Sequence, residues 1–244
     1  MTPNWTTTEL ARHAVDLFLP DEPRSDAVLL VVPDHGARAI ERDALTAALD
    51  RFRVPAVAPH GDGCWWLDRA EPVFDPELPP LRFLTDHVVP FIGERLGVRP
   101  PGVKLLGWGA GGQGVLQLAY RRPREFPAVA AVDPAIDFHE LYGRGTPLDD
   151  LFPTREAARQ ATALLRMQGV GWPRRQLIVA DPQNFWFEGA DRLEMKLRSM
   201  GLPVETDFTR TAGGDGRRFF EDHAARAVEF LLTERATLSV VSRG

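Results

Sequence analysis

The chain has 244 residues, 44% of them hydrophobic and 26% charged, and a formal net charge of −5, which is ordinary globular composition. A mildly acidic balance argues against a non-specific nucleic-acid binder, which would show basic patches, and the single cysteine, Cys64, excludes an internal disulfide framework and a cysteine-rich zinc site. With no apolar run near the ~20 residues of a membrane span and a polar start at residues 1–10, the expectation is a soluble, cytoplasmic protein with one domain over residues 1–234 and a flexible tail at 235–244.

In chain order, residues 15–19 read as an edge strand ended by Pro20. Residues 27–33 form a continuous apolar run, the pattern of a strand buried on both faces. A helix is predicted over 39–51, where Ile40, Ala44, Leu45, Ala48 and Leu49 recur at helical spacing. A short strand at 54–58 leads into a Gly-rich, aromatic loop at 60–67. Residues 81–96 read as a helix with Gly97 as its C-cap. Val103–Trp108 is a strand that runs into a glycine cluster, and a helix follows at 112–121.

The second half repeats the alternation. Ala128–Val132 is a strand, and the Asp133–Pro134 step opens a segment with a short helix near Phe138–Leu141. Residues 155–167 read as a helix, 176–180 as a strand and 189–200 as an amphipathic helix capped by Gly201. A last strand at 203–209 precedes a last helix at 217–233. Apolar strands alternating with helices predict the α/β class, with a mostly parallel central sheet and helices on both faces. Ligand sites in such sheets lie beyond the strand C-terminal ends, here the loops after Pro33, Ala58, Trp108, Val132, Ala180 and Thr209.

The segment Gly107-Trp108-Gly109-Ala110-Gly111-Gly112 stands between a buried strand and a helix. That is the context of a nucleophile elbow, G-x-S-x-G, with Gly109 where the serine belongs. The spacing equally suits a glycine-rich turn that binds phosphate, although the phosphate-loop lysine is missing and G-x-G-x-x-G is not cleanly matched. Only four serines occur, Ser25, Ser199, Ser239 and Ser242. None follows a strand at its C-terminal end, so none can serve as an exposed elbow nucleophile.

Several segments together resemble the α/β-hydrolase fold, and within it compact esterases of the esterase D and predicted-hydrolase type, over about residues 15–232. They are Asp34-His35-Gly36, Ala58-Pro59-His60-Gly61, Trp65-Trp66, the Gly107 to Gly114 cluster, Ala135-Ile136-Asp137-Phe138-His139-Glu140-Leu141-Tyr142-Gly143, and Gly213-Gly214. The resemblance implies an oxyanion hole from the His35–Gly36 loop and the amide of Ala110. It also implies that the nucleophile, acid and base positions are Gly109, Asn184 and Asp215, all three substituted. Asn184 is found by counting back from Leu193, and Asp215 follows the Gly-Gly pair where the family has histidine. Asp181 is expected to cap its strand end, a common role for Asp before Pro.

Other residues offer alternatives. Cys64 lies four positions from His60, and a Cys–His pair can act as nucleophile and base; the plainer reading is a small packing residue beside Trp65 and Trp66. His35 is expected to pack under the oxyanion loop, and His139 to orient a loop or line the site rim. His13 and His223 are expected at the surface, and His87 on a helix face. Asp75 and Glu77 are expected in a solvated loop. Trp65, Trp66, Trp108, Phe185 and Trp186 are pocket or core. A metal site from His35, His60, Asp62 and Asp215 lacks any dense ligand motif, so neither metal nor cofactor is expected. The expected function is that of a catalytically inactive, esterase-like pseudoenzyme with a pocket for a small ester- or acyl-type ligand. The alternative is an active hydrolase using a displaced group such as Cys64 or Asp215. Neither nucleic acid nor membrane is an expected partner.

Overall fold

A computed structural model describes residues 4–167 and 171–233; the expected tail at 235–244 lies outside them. Among the described residues, eight strands form one sheet in the order β1-β2-β4-β3-β5-β6-β7-β8. Strand β1 (Trp5–Leu10) and β2 (His13–Phe18) form an antiparallel hairpin. Its two-residue turn is Ala11-Arg12, both at positive φ, the backbone that matches strand twist in tight hairpins. Strand β2 pairs antiparallel with β4 (Ala56–Pro59). From β4 onward the neighbours β3 (Val28–Val32), β5 (Val103–Trp108), β6 (Ala128–Val132), β7 (Arg175–Val179) and β8 (Glu205–Asp207) are parallel.

The segment predicted as an edge strand is therefore the second strand in. The true edge, β1, carries Thr6, Thr7, Thr8 and Glu9 exposed and Trp5 buried, so it lacks the apolar alternation that announces a strand. Side chains in β3 alternate between two fully buried layers. Val28, Leu30 and Val32 join one core, and Leu29 and Val31 join the other.

Helix α1 (Asp43–Arg51) follows a 3-10 turn at Ala39–Glu41, so the helix predicted at 39–51 is split. Helix α2 (Pro80–Phe83) passes through a π turn at Leu84–Val88 into α3 (Val89–Leu96), which ends on left-handed Gly97. The π turn lies just before Pro90, which has no N–H to donate to the ladder. Helix α4 (Gly109–Arg121) begins directly at the end of β5 rather than at residue 112. Helix α5 (Leu148–Leu151) and α6 (Arg155–Gln160) are short. The helix predicted to reach 167 stops where the buried Thr162 turns its hydroxyl back onto the Arg159 carbonyl at 2.9 Å. Helix α7 (Phe187–Ser199) and α8 (Gly216–Leu232) complete the set. Helices α4 and α7 supply Leu116 and Leu193 to one face of the sheet. Helices α1 and α8 cover the other with Leu45, Leu49, Phe219 and Phe220.

Three groups expected at the surface are buried. His13 stacks on Phe74 with ring centroids 4.0 Å apart, its Nε2 3.4 Å from Asp75. His223 places Nδ1 2.8 Å from the Phe219 carbonyl one turn earlier in α8. Asp75 accepts the amides of Glu77 and Leu78 at 2.8 and 2.9 Å, so it orders a turn instead of standing in solvent.

Candidate active-site edge

Strands β3, β5, β6 and β7 all point their C-terminal ends to one edge, where β5 turns directly into α4 and the other three run into loops. Gly109 begins α4 at φ +54, a left-handed conformation that glycine reaches without steric cost. Two residues later, a Cβ on Gly111 would lie 2.0 Å from the Val32 carbonyl oxygen. Only glycine lets the first turn of α4 rest on the end of β3.

That contact places Asp34 against the turn. Its Oδ1 accepts the Ala110 amide at 2.8 Å. A Cβ at position 109 would lie 2.1 Å from the Asp34 Cγ. The volume that a side chain at 109 would enter is occupied by a carboxylate group, and the Ala110 amide in the first turn of α4 is bonded to it.

Asp133, one residue past β6, is buried and left-handed, with φ 43. Non-glycine residues in this region store of order 1–3 kcal/mol of strain, and they cluster at functional sites. Asp133 Oδ1 accepts the Asp181 amide at 2.7 Å, and Oδ2 accepts the Asn184 side-chain amide at 3.0 Å. Those bonds favour the ionised form. Burial outweighs them, aided by the charges of Asp181 and Asp34, and pushes the carboxyl up to about 7.

Asp181 behaves oppositely. Burial opposes its charge, but the Thr211 hydroxyl and the amides of Gln183, Gly214 and Ala212 prevail and hold it at about 2. These amides lie 2.8, 2.9 and 2.8 Å from its oxygens. Asp181 thus caps the end of β7, as the Asp–Pro step predicts, and also ties that loop to the turn entering α8.

Of the three positions singled out by resemblance, Gly109 faces Asp34 and Asn184 faces Asp133. Asp215 is exposed and caps α8, accepting the Arg218 amide at 3.0 Å. The next residue, Gly216, is near Asn184: a Cβ there would lie 3.5 Å from its Nδ2. The three loops meet at one edge, but the side chains of Asn184 and Asp215 are committed to different partners.

An aromatic wall stands beside them. His35 meets Trp65 edge to face at 4.1 Å, next to the left-handed Gly36. Trp65 in turn meets Trp186 at 6.1 Å and Phe138 at 5.4 Å. Its loop is held by buried Glu71, whose oxygens accept the amides of Trp65 and Leu67 at 2.7 and 2.9 Å. Burial pushes Glu71 up to about 7.

The remaining candidates lie elsewhere or deeper. Trp66, 1% exposed, donates its indole N–H to the Pro33 carbonyl at 3.0 Å. Trp108 stacks on Phe220 at 4.1 Å in the core beneath α8. Cys64 is 1% exposed, and burial, with the Glu71 charge beside it, pushes its thiol well up. These three are buried core side chains. His60 pairs with Asp16 at 3.0 Å, a carboxylate also held by Arg38. His139 is buried near Asp137 and Glu140, and burial lowers its pKa.

Asp34 and Asp133 are the functional-edge residues that motif reading passed over. A signal was present: three buried strands each run into an aspartate next to a proline, at Pro33-Asp34, Asp133-Pro134 and Asp181-Pro182. Among the described residues, no group of three or more His, Cys, Asp or Glu is placed to hold a metal ion. No helix among them is long and apolar enough to cross a membrane.

The parallel sheet with its antiparallel edge, the sharp turn from β5 into α4 and the Asp181 loop decide the architecture. The chain has the α/β-hydrolase fold. A ferulic acid esterase superposes with a TM-score of 0.74 at 15% identity, over 93% of this chain and 96% of that one. An S-formylglutathione hydrolase from Staphylococcus aureus superposes with a TM-score of 0.75 at 9% identity, over 94% and 98%. An S-formylglutathione hydrolase from Agrobacterium tumefaciens gives 0.69 at 14%, over 93% and 94%. No family model matches the sequence, and no curated protein matches it. These superpositions show an esterase-like α/β-hydrolase fold.

Proposed function

We propose that this α/β-hydrolase-fold protein does not perform serine-based acyl transfer. In this reading Gly109, Asn184 and Asp215 hold the nucleophile, acid and base positions, and the chain is a catalytically inactive, esterase-like protein. The loop edge beside His35, Trp65, Trp186 and His139 would retain a place for a small ester- or acyl-type ligand.

The observation that carries this reading is the bond from the Ala110 amide to Asp34. Acyl transfer needs preorganised donors aimed at a developing oxyanion. Here the amide expected to serve is already matched to a carboxylate group. An incoming oxyanion would have to displace Asp34 and then bear its charge nearby. The displaced-nucleophile alternative finds little support: the Cys64 thiol is buried with its pKa raised, and thiols react as thiolates. Asp215 is spent on its helix cap.

The test pairs a fluorophosphonate probe with a panel of short and medium acyl p-nitrophenyl esters. The purified chain should neither label nor turn over ester above background, while ester- or acid-type ligands raise its melting temperature. Stoichiometric labelling, or turnover lost in Cys64→Ala, would overturn the proposal.

A further inference from the structure

The far end of α4 borders a cleft of about 350 Å³, within the range of small-molecule sites. Arg121 lies 12 residues beyond Gly109, about 18 Å along the helix at 1.5 Å per residue, so this opening is distinct from the strand-end edge. Arg121 and Arg166 line it with Arg69 and Asp68, and Leu67, Phe152, Ala157 and Ala161 supply apolar surface.

Three guanidinium groups therefore share the cleft with one carboxylate. Asp68 is already used twice, accepting from Arg82 at 3.1 Å and from Arg121 at 2.9 Å. Arg69 is occupied as well, donating to the Leu151 carbonyl and lying 4.6 Å over the Phe152 ring. The Arg166 side chain has no hydrogen bond or ion pair among the described residues, and its buried Nε is unmatched. The buried Nε of Arg121 is unmatched too. The two charges oppose each other, and burial, then Arg121, lowers the Arg166 pKa. Buried donors are normally matched, and an exception in a cleft points to an unoccupied acceptor.

We propose that this cleft binds a small organic anion, with Arg121 and Arg166 gripping a carboxylate or phosphate headgroup and the apolar wall receiving a compact apolar body. Such a headgroup offers two or more oxygens to guanidinium forks and cancels the repulsion between the two arginines. The site stands independently of the reading of Gly109 and Asp34.

Calorimetric titration of the full chain with phenyl phosphate tests it, with benzoate, inorganic phosphate and phenol alongside. At low salt, phenyl phosphate or benzoate should bind one to one. The better of them should bind at least about tenfold more tightly than inorganic phosphate, the gain from burying the ring. Phenol should give no saturable heat, and raising salt to about 0.5 M should weaken the anion severalfold. Arg166→Gln should weaken it about tenfold or more, and Arg166→Lys, which keeps the charge but loses the fork, by less. Circular dichroism verifies folding of each variant, and Arg166→Lys decides if the glutamine variant is misfolded. Absence of saturation by both organic anions, equal binding of phenol, or unchanged affinity in a folded Arg166 variant would overturn the proposal.

Discussion

The two ends of helix α4 differ in how their polar groups are treated. At the N-terminal end, Ala110 has its amide matched by Asp34, and the space beside Gly109 is filled. At the other end, Arg121 and Arg166 keep buried Nε donors unmatched beside an open cleft. Both ends pack on the same core layer, so apolar burial does not separate them. Polar satisfaction does. The end that resembles an enzyme site is self-satisfied, and the end without that resemblance is the one lacking a partner.

The largest expected effect comes from reopening the closed end. Asp34→Ala, Gly109→Ser, Asn184→Asp and Asp215→His combined should vacate the Ala110 amide and assemble a triad. Hydrolysis of p-nitrophenyl acetate should then rise about 10²–10³-fold over the parent, well short of a full triad because Arg217 and Arg218 disfavour the imidazolium. Gly109→Ser alone or Asp215→His alone should leave the rate at background, since triad members act as a unit. A folded quadruple variant that neither hydrolyses the ester nor accepts a fluorophosphonate would mean that at least one position is misassigned.

Stability gives the next effect. Gly109→Ser should lose about 3 kcal/mol in urea unfolding, through overlap with Asp34 and a left-handed backbone. Adding Asp34→Ala should recover about 1 kcal/mol or more, because contacting residues couple. Additive losses would show that Asp34 does not fill that space.

A pH titration sharpens the contrast further. Asp133 has a folded pKa raised to about 7, so between about pH 4 and 7 the folded state binds more protons than the unfolded chain. Its stabilising contribution is complete at low pH and is lost as pH rises through 7. Asp181, held at about 2, has the opposite sign, and its contribution disappears as pH falls from about 4 to 2. Unfolding free energy should therefore drop by about 2 kcal/mol from Asp133 between pH 5 and 7. In Asp133→Asn that slope should flatten, even if the variant is weaker overall. Glu71, also at about 7, should leave a residual slope that Glu71→Gln removes. An unchanged slope in both variants would refute the raised values.

The smallest effect belongs to the open end. Arg166→Gln should keep stability within about 0.5 kcal/mol of the parent, or raise it slightly, because it relieves a buried, repelled charge. A loss above about 1 kcal/mol would mean that Arg166 is structural and that the two ends of α4 are alike.

Local pattern was enough to place seven of the strands within a residue or two, most directly the buried parallel ones such as Val28–Val32, which are uninterrupted apolar runs. The glycine cluster and the serine count located the turn after β5 and showed that no serine stands there. Local sequence could not show β1, whose threonines face solvent and whose one buried residue is Trp5. Nor could it show that His13, Asp75 and His223 are buried, since each owes its environment to segments packed over it. The decisive contact lay furthest out of reach. Asp34 and Ala110 are 76 residues apart, and they meet because β3 and β5 pair in parallel and Gly111 lets α4 start against the end of β3. A sequence pattern reports how one segment divides its faces between core and solvent; which side chain fills the space opposite a glycine is decided only when two distant segments are brought together.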